Sequence, residues 1–177
     1  MDDYDITHFR FVDDIFTINR SRIMEFCNLA KQERLGASWI CITRADALDS
    51  ELLWRMKRGG CTEVHVGVET GSQRILNAMN KQTTVETLKQ GIHKIKEAGI
   101  TVKAYLMHGF PPENDGDREK TVDFVREVRP DKVTVSRFTP LPGSKIWSKS
   151  SEKWFYVNTD EEYMSFRRRL EDLCKLD

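Results

Sequence analysis

The sequence predicts an α/β protein of repeated β-α units with a parallel sheet, on three observations. Short apolar runs alternate with stretches of helical spacing. Each helical stretch carries one apolar stripe. Polar and turn-forming residues gather directly after every apolar run. Adjacent parallel strands need a long crossover, and the helical stretches supply it.

The predicted strands are 7–12, 38–43, 63–68, 101–107 and 132–138. The first helix spans 21–35, with Ile23, Phe26, Cys27 and Ala30 on one face and Gly36 as its stop. The second, 50–58, follows the N-cap candidate Asp49 and ends at Gly59-Gly60. A short third follows Ser72 and turns Ile75, Leu76 and Met79 inward. In the fourth, Thr83 and Glu86 have capping-box spacing, Val85, Leu88, Ile92 and Ile95 form the stripe, and Gly99 ends it. The fifth runs from 117 to 129, where Pro130 forbids continuation. After Pro142-Gly143 the periodicity fades through Trp147, Trp154, Phe155 and Tyr156. A last helix follows Thr159, with Glu162 completing a second capping box and Tyr163, Phe166, Leu170 and Leu173 facing inward. Several strands read as apolar on both faces, as in a covered parallel sheet. Periodicity alone fits an open doubly wound sheet and a barrel equally.

The 177 residues suffice for one sizeable core, and a 39% hydrophobic, 32% charged composition is that of an ordinary globular protein. Twenty-eight basic side chains balance 28 acidic ones, so no net field draws the chain to nucleic acid. No apolar run reaches membrane-spanning length and the first residues lack a secretory pattern, so a cytoplasmic location without membrane attachment is expected. Cys27, Cys41, Cys61 and Cys174 include no C-x-x-C pair, and all four are expected to be structural thiols.

In parallel β/α folds the functional face lies at the C-terminal ends of the strands. There the sequence places Asp13-Asp14, Arg44-Ala45-Asp46, Glu69-Thr70-Gly71-Ser72, His108 to Asn114, and Thr139 to Ser144. Singly, each has a bland reading: a turn, an N-cap, a surface ion pair or a rigid Pro-Pro bend. Gathered on one rim, they describe a pocket suited to a polar, zwitterionic ligand.

The stretches Phe11-Val-Asp-Asp-Ile-Phe16, Arg44-Ala-Asp46, Gly67-Val-Glu-Thr-Gly-Ser72, Asn80-Lys-Gln-Thr-Thr84, Gly109-Phe-Pro-Pro-Glu113 and Thr139-Pro-Leu-Pro-Gly-Ser144 appear in an order that resembles the radical S-adenosylmethionine (SAM) superfamily. The similarity, from about Phe9 to Trp147, is to the Fe-S oxidoreductases often joined to a cobalamin-binding domain. It implies an incomplete, partial TIM-type barrel over residues 1–147, followed by a C-terminal extension, 148–177, that ends in a helix. The five strands would correspond to the family's second to sixth. In the family, SAM chelates a [4Fe-4S] cluster on a C-x-x-x-C-x-x-C loop, and its reductive cleavage yields a 5′-deoxyadenosyl radical. No such cysteine motif occurs in this sequence. The expectation is therefore that an N-terminal segment or a partner carries the cluster loop, and that this chain alone is inactive. A cobalamin site would lie in a further domain.

The resemblance also implies site roles. Glu69 would accept hydrogen bonds from the ribose hydroxyls of SAM. Lys81 would pair with the methionyl carboxylate, and Arg44 would act as a carboxylate clamp. Asp13 and Asp14 would meet the methionyl amino group, with Asp13 preferred. Gly109 and the 140–144 turn, including Pro142, would serve the adenine side, and Ser72 would complete the Glu69 loop. His108 is read as structural ahead of acid–base. Two other functions fit the same residues. In one, Asp13, Asp14 and Glu69 hold a divalent cation in a β/α-barrel lyase or isomerase. In the other, a degenerate half-barrel serves as a binding module.

Overall fold

In the computed structural model, residues 6–144, 146 and 159–175 are described. Trp147, Trp154, Phe155 and Tyr156 lie outside them. Five parallel strands, β1 (His8–Arg10), β2 (Ser38–Thr43), β3 (Cys61–Glu69), β4 (Thr101–His108) and β5 (Lys132–Arg137), form one sheet in the order β1-β2-β3-β4-β5. A doubly wound sheet reverses its strand order at a switch point. This sheet never reverses, so successive crossovers place the helices on one face and the sheet curls into a half-barrel.

The helices are α1 (Arg20–Gln32), α2 (Ser50–Arg58), α3 (Gln73–Ala78), α4 (Val85–Glu97), α5 (Asp115–Val128) and α6 (Asp160–Leu173). Their apolar stripes join one face of the sheet in a single core. Cys41, Val64, Val66, Val68, Val102, Ala104, Leu106 and Val135 come from the strands, while Ile23, Leu52, Leu88, Ile92, Val122 and Leu170 come from the helices. Phe166 and Leu170 of α6 share this core, and the Tyr163 hydroxyl donates to the Val135 carbonyl at 2.9 Å.

Only that outer face is a continuous apolar surface. The concave face carries Ile40 and Ile42 on β2, but Glu63, His65 and Gly67 on β3 and Lys103, Tyr105 and Met107 on β4. The expectation of strands apolar on both faces therefore holds for β2 alone. β1 is shorter than expected and exposed throughout.

Helix starts differ in instructive ways. For α4 the cap is Thr84, whose hydroxyl accepts from Thr87 N at 3.0 Å, rather than Thr83. The Gln73 side chain decides between the neighbouring threonines: its amide nitrogen donates to Thr83 O at 3.2 Å and its oxygen accepts from Val85 N at 2.9 Å. α5 starts two residues early, behind a capping box between Asn114 and Asp117. The expected Thr159–Glu162 box is present on α6.

Candidate SAM site at the strand rim

The strand ends present two kinds of polar residue, separated by side-chain parity. On β3 the pairing register with β4 shifts between Gly67 and Glu69, so Glu69 sits at an irregularity with φ +68°. A non-glycine residue in that region costs about 1–3 kcal/mol and is held there by its surroundings. The turn carries the Glu69 carboxylate back over Gly67, where Oε1 accepts from Lys81 Nζ at 2.7 Å. The two side chains keep 21% and 22% of their surface exposed, which leaves the pair open to a ligand. Among the described residues, the other carboxylate oxygen has no hydrogen-bond partner.

Gly67 makes this arrangement possible. A Cβ there would lie 2.9 Å from Glu69 Oε1 and 3.1 Å from Lys81 Nζ. Lys81 is itself presented by a contorted backbone, with Asn80 and Gln82 both at φ +55°. Arg44 holds that segment, its Nη2 donating to the carbonyls of Lys81 and Gln82 at 3.3 and 3.5 Å. The same guanidinium makes a bidentate pair with Asp46 at 2.8 and 2.6 Å, and this hydrogen bonding holds the Asp46 carboxyl below its ordinary range. Glu69, Lys81 and Arg44 are thus brought together, with Arg44 behind Lys81.

Ser72 is placed elsewhere. It is fully buried, and its hydroxyl donates to Asp117 Oδ1 at 2.6 Å. Asp117 also accepts from Asn114 N at 3.0 Å and pairs with Arg74. Burial alone would raise this carboxyl, but the bonds from Arg74 and Ser72 prevail and hold it at about 2. Thr121 Oγ1 meets Thr70 Oγ1 and accepts from Gly71 N, both at 3.0 Å. At Gly71 a Cβ would stand 2.7 Å from Phe124 Cβ, so the glycine lets α5 close on the turn.

Asp13 and Asp14 are exposed beyond β1, and Asp13 faces Arg22 at 3.6 Å. Among the described residues, no hydrogen bond or ion pair joins either to Glu69 or Lys81. Gly109 adopts φ +82°, and its N–H donates to Glu113 Oε2 at 2.7 Å, folding the Phe110–Glu113 turn back on itself. Burial pushes the Glu113 carboxyl up. Pro142 is exposed in the turn that the Ser144 hydroxyl closes on Leu141 O at 2.8 Å. His108 follows the parity of Val102, Ala104 and Leu106 and is therefore turned to the helix-covered face. It packs 5.1 Å from Phe166, and burial, the largest influence, lowers it to about 4.

A family profile described as the radical SAM superfamily matches residues 2–125. The chain belongs to that superfamily. It is 31% identical over 145 residues to a protein of Pyrococcus horikoshii named an uncharacterized methyltransferase, covering 82% of this chain and 32% of the relative. It is 30% identical over 152 residues to the anaerobic magnesium-protoporphyrin IX monomethyl ester cyclase of Rubrivivax gelatinosus, covering 85% and 27%. The chain thus spans about a third or less of these curated relatives. Among solved structures, the radical SAM methyltransferase TsrM of Kitasatospora setae, determined with cobalamin and a [4Fe-4S] cluster bound, superposes with TM-score 0.69 at 15% identity, covering 76% of this chain and 28% of that one. Coproporphyrinogen III oxidase of Escherichia coli does so with TM-score 0.67 at 15% identity, covering 94% and 35%. At such identities these two likenesses show the fold.

The cysteines do not fit a cluster. Cys27, Cys41 and Cys61 are buried in the helix-side core, away from the concave rim, and Cys174 is half-buried after α6. Burial pushes the Cys27 and Cys174 thiols up to about 11 and raises Cys61 as well, against the thiolate form that iron requires. No group of three His, Cys, Asp or Glu side chains among the described residues could hold a metal ion, and Glu69 is engaged by Lys81. The divalent-cation reading is therefore not favoured. No helix among the described residues is long and apolar enough to cross a membrane.

Sequence reasoning assigned no role to Gly67 or Asp117. Gly67 had a visible signal, a glycine two residues before the acid on one strand face. For Asp117 the local signal is only its capping-box spacing from Asn114, since Arg74 and Ser72 come from 43 and 45 positions away.

Proposed function

We propose that this chain supplies SAM-binding strands of a radical SAM enzyme. The observation that carries the reading is the Glu69 carboxylate, folded over Gly67 at a left-handed backbone turn and open to the chamber on one oxygen. Such an oxygen accepts from paired ribose hydroxyls. The Lys81 ammonium beside it suits the methionyl carboxylate, and Asp13 suits the amino group. Arg44 acts through the Lys81 segment rather than as a direct clamp. Ser72 acts by anchoring the Glu69 turn to α5, while Gly109 and Pro142 shape the adenine side. Bound SAM supplies hydrogen-abstracting radical chemistry once a cluster is present. The cluster comes from a segment or partner outside this sequence, and cobalamin, where used, from a further domain.

Calorimetric titration of the chain with SAM tests the reading. Glu69→Ala should weaken binding about ten- to hundredfold, as expected for a lost charge-assisted hydrogen bond. Its melting temperature should stay within about 2 °C of wild type, since surface changes are near neutral. A folded variant with unchanged affinity would defeat the assignment.

A further inference from the structure

Below the rim, the concave wall carries a second polar array. Glu63 and His65 share one face of β3, and the Glu63 carboxylate meets His65 Nε2 at 2.6 Å. His65 Nδ1 meets the Tyr105 hydroxyl of β4 at 2.9 Å, with the two rings edge to face at 5.4 Å. Glu63 Oε2 is anchored by Lys132 Nζ of β5 at 2.5 Å, and Lys103 Nζ lies 5.5 Å from the Tyr105 ring centre. β2 contributes Ile40 and Ile42 to this wall, and β1 contributes Arg10, the register partner of Ile40. His65 is 3% exposed, whereas Tyr105 is half-buried.

The protons follow from the partners. An ionised carboxylate only accepts, so Nε2 carries the hydrogen and Nδ1 presents its lone pair to the phenol. Burial, the largest influence, lowers the His65 pKa, which keeps the ring a neutral acceptor near pH 7. Carboxylate, imidazole and hydroxyl are then ordered as in a serine triad, with a phenol in place of serine. Tyr105 is the register partner of Gly67, the residue beneath the Glu69–Lys81 pair. The array therefore ends one step along the wall from the proposed SAM contacts. Barrel interiors are ordinarily packed with Val, Ile and Leu, and replacing a buried polar set by apolar side chains costs a fold little or nothing. Stability alone is a poor reason for this array.

We propose that Tyr105 is a general base for a substrate held against this wall, with His65 and Glu63 as its positioning relay. A substrate O–H or N–H gives its proton to Tyr105 Oη while the phenol proton passes to His65 Nδ1. The substrate gains one negative charge, and the imidazolium formed is held against the Glu63 carboxylate. Lys103 and Arg10 lean the wall cationic, which matches an anionic substrate bearing an ionisable O–H or N–H group. The substrate's place rests on the chamber reading above; the reactivity of Tyr105 does not.

That reactivity is measurable on the chain without SAM, so failure of the Glu69 assignment leaves the test intact. N-acetylimidazole is the probe, with acetylation located by peptide mass spectrometry. Tyr163, half-buried with its hydroxyl tied to a backbone carbonyl, is the internal control. Tyr105 should be acetylated about a hundredfold faster than Tyr163, the low end of the range for a positioned base. Its rate should fall as His65 becomes protonated at low pH. His65→Gln should remove the advantage and leave the Tyr163 rate unchanged. Should that variant not fold, Glu63→Gln is expected to lower the Tyr105 rate in the same direction. A Tyr105 rate no greater than that of Tyr163, or one insensitive to both substitutions in folded protein, overturns the proposal.

Discussion

Glu69 and Ser72 stand three residues apart at the end of the same strand, yet they enter opposite environments. Glu69 turns back over the concave face, a fifth exposed, with one carboxylate oxygen engaged by Lys81. Ser72 turns into the outer core, where Asp117, Thr70 and Thr121 join in a closed set of hydrogen bonds. Both regions are polar, and strand-end reasoning places both on the rim. A saturated buried network holds shape, whereas a partly satisfied open pair has bonding capacity left for a ligand.

The sharpest way to break this contrast is Asp117→Ala. It strands Arg74 and the Ser72 hydroxyl, and should cost about 3 kcal/mol, the low end for opening a buried pair because Arg74 is itself half-exposed. For a chain of this size that is a fall of about 10 °C in melting temperature. SAM affinity measured on the folded fraction should fall by less than the roughly tenfold expected of Glu69→Ala, because the turn loses an anchor and no ligand contact. A loss of affinity without a loss of stability would merge the two regions into one site.

His108 extends the comparison to the end of β4, on the core side. Its ordinary pKa near 6.5 falls to about 4 in the fold because burial disfavours the charged ring. Between those values the unfolded chain binds more protons. This contribution is therefore complete above about pH 6.5 and is lost as pH falls toward 4. A tenfold change in proton affinity is worth about 1.4 kcal/mol, so the whole contribution reaches roughly 3 kcal/mol. Denaturant titrations at pH 7 and 4.5 should show His108→Gln flattening the dependence. An unchanged slope would place the acid sensitivity elsewhere.

Gly67→Ala sharpens the open side. The added methyl meets the mobile ends of Glu69 and Lys81 and no backbone, so stability should move by less than about 0.5 kcal/mol. SAM affinity should fall about tenfold as the pair is displaced, the equivalent of about 1.4 kcal/mol. A large melting shift would mean that the pair is structural. The smallest expected effect separates neighbouring threonines: Thr84→Ala should cost about 1 kcal/mol as a lost N-cap, and Thr83→Ala clearly less, by thermal melting.

Strands, helices and rim order were legible because they rest on local periodicities. Apolar residues recur every two positions on β4 and every three to four on α4, and glycines and capping residues punctuate them. The cluster motif's absence was equally readable, and the buried cysteines agree with it. The strand order decided between barrel and doubly wound sheet. Alternation alone puts Glu69 on the chamber side of β3, but only the left-handed turn there folds its carboxylate back over Gly67 and onto Lys81. Which threonine caps α4, which carboxylate holds Ser72, and which tyrosine meets His65 depended on partners between 10 and 45 positions away. A single sequence carries each member of such a pair, but only chain folding brings the two within hydrogen-bonding distance.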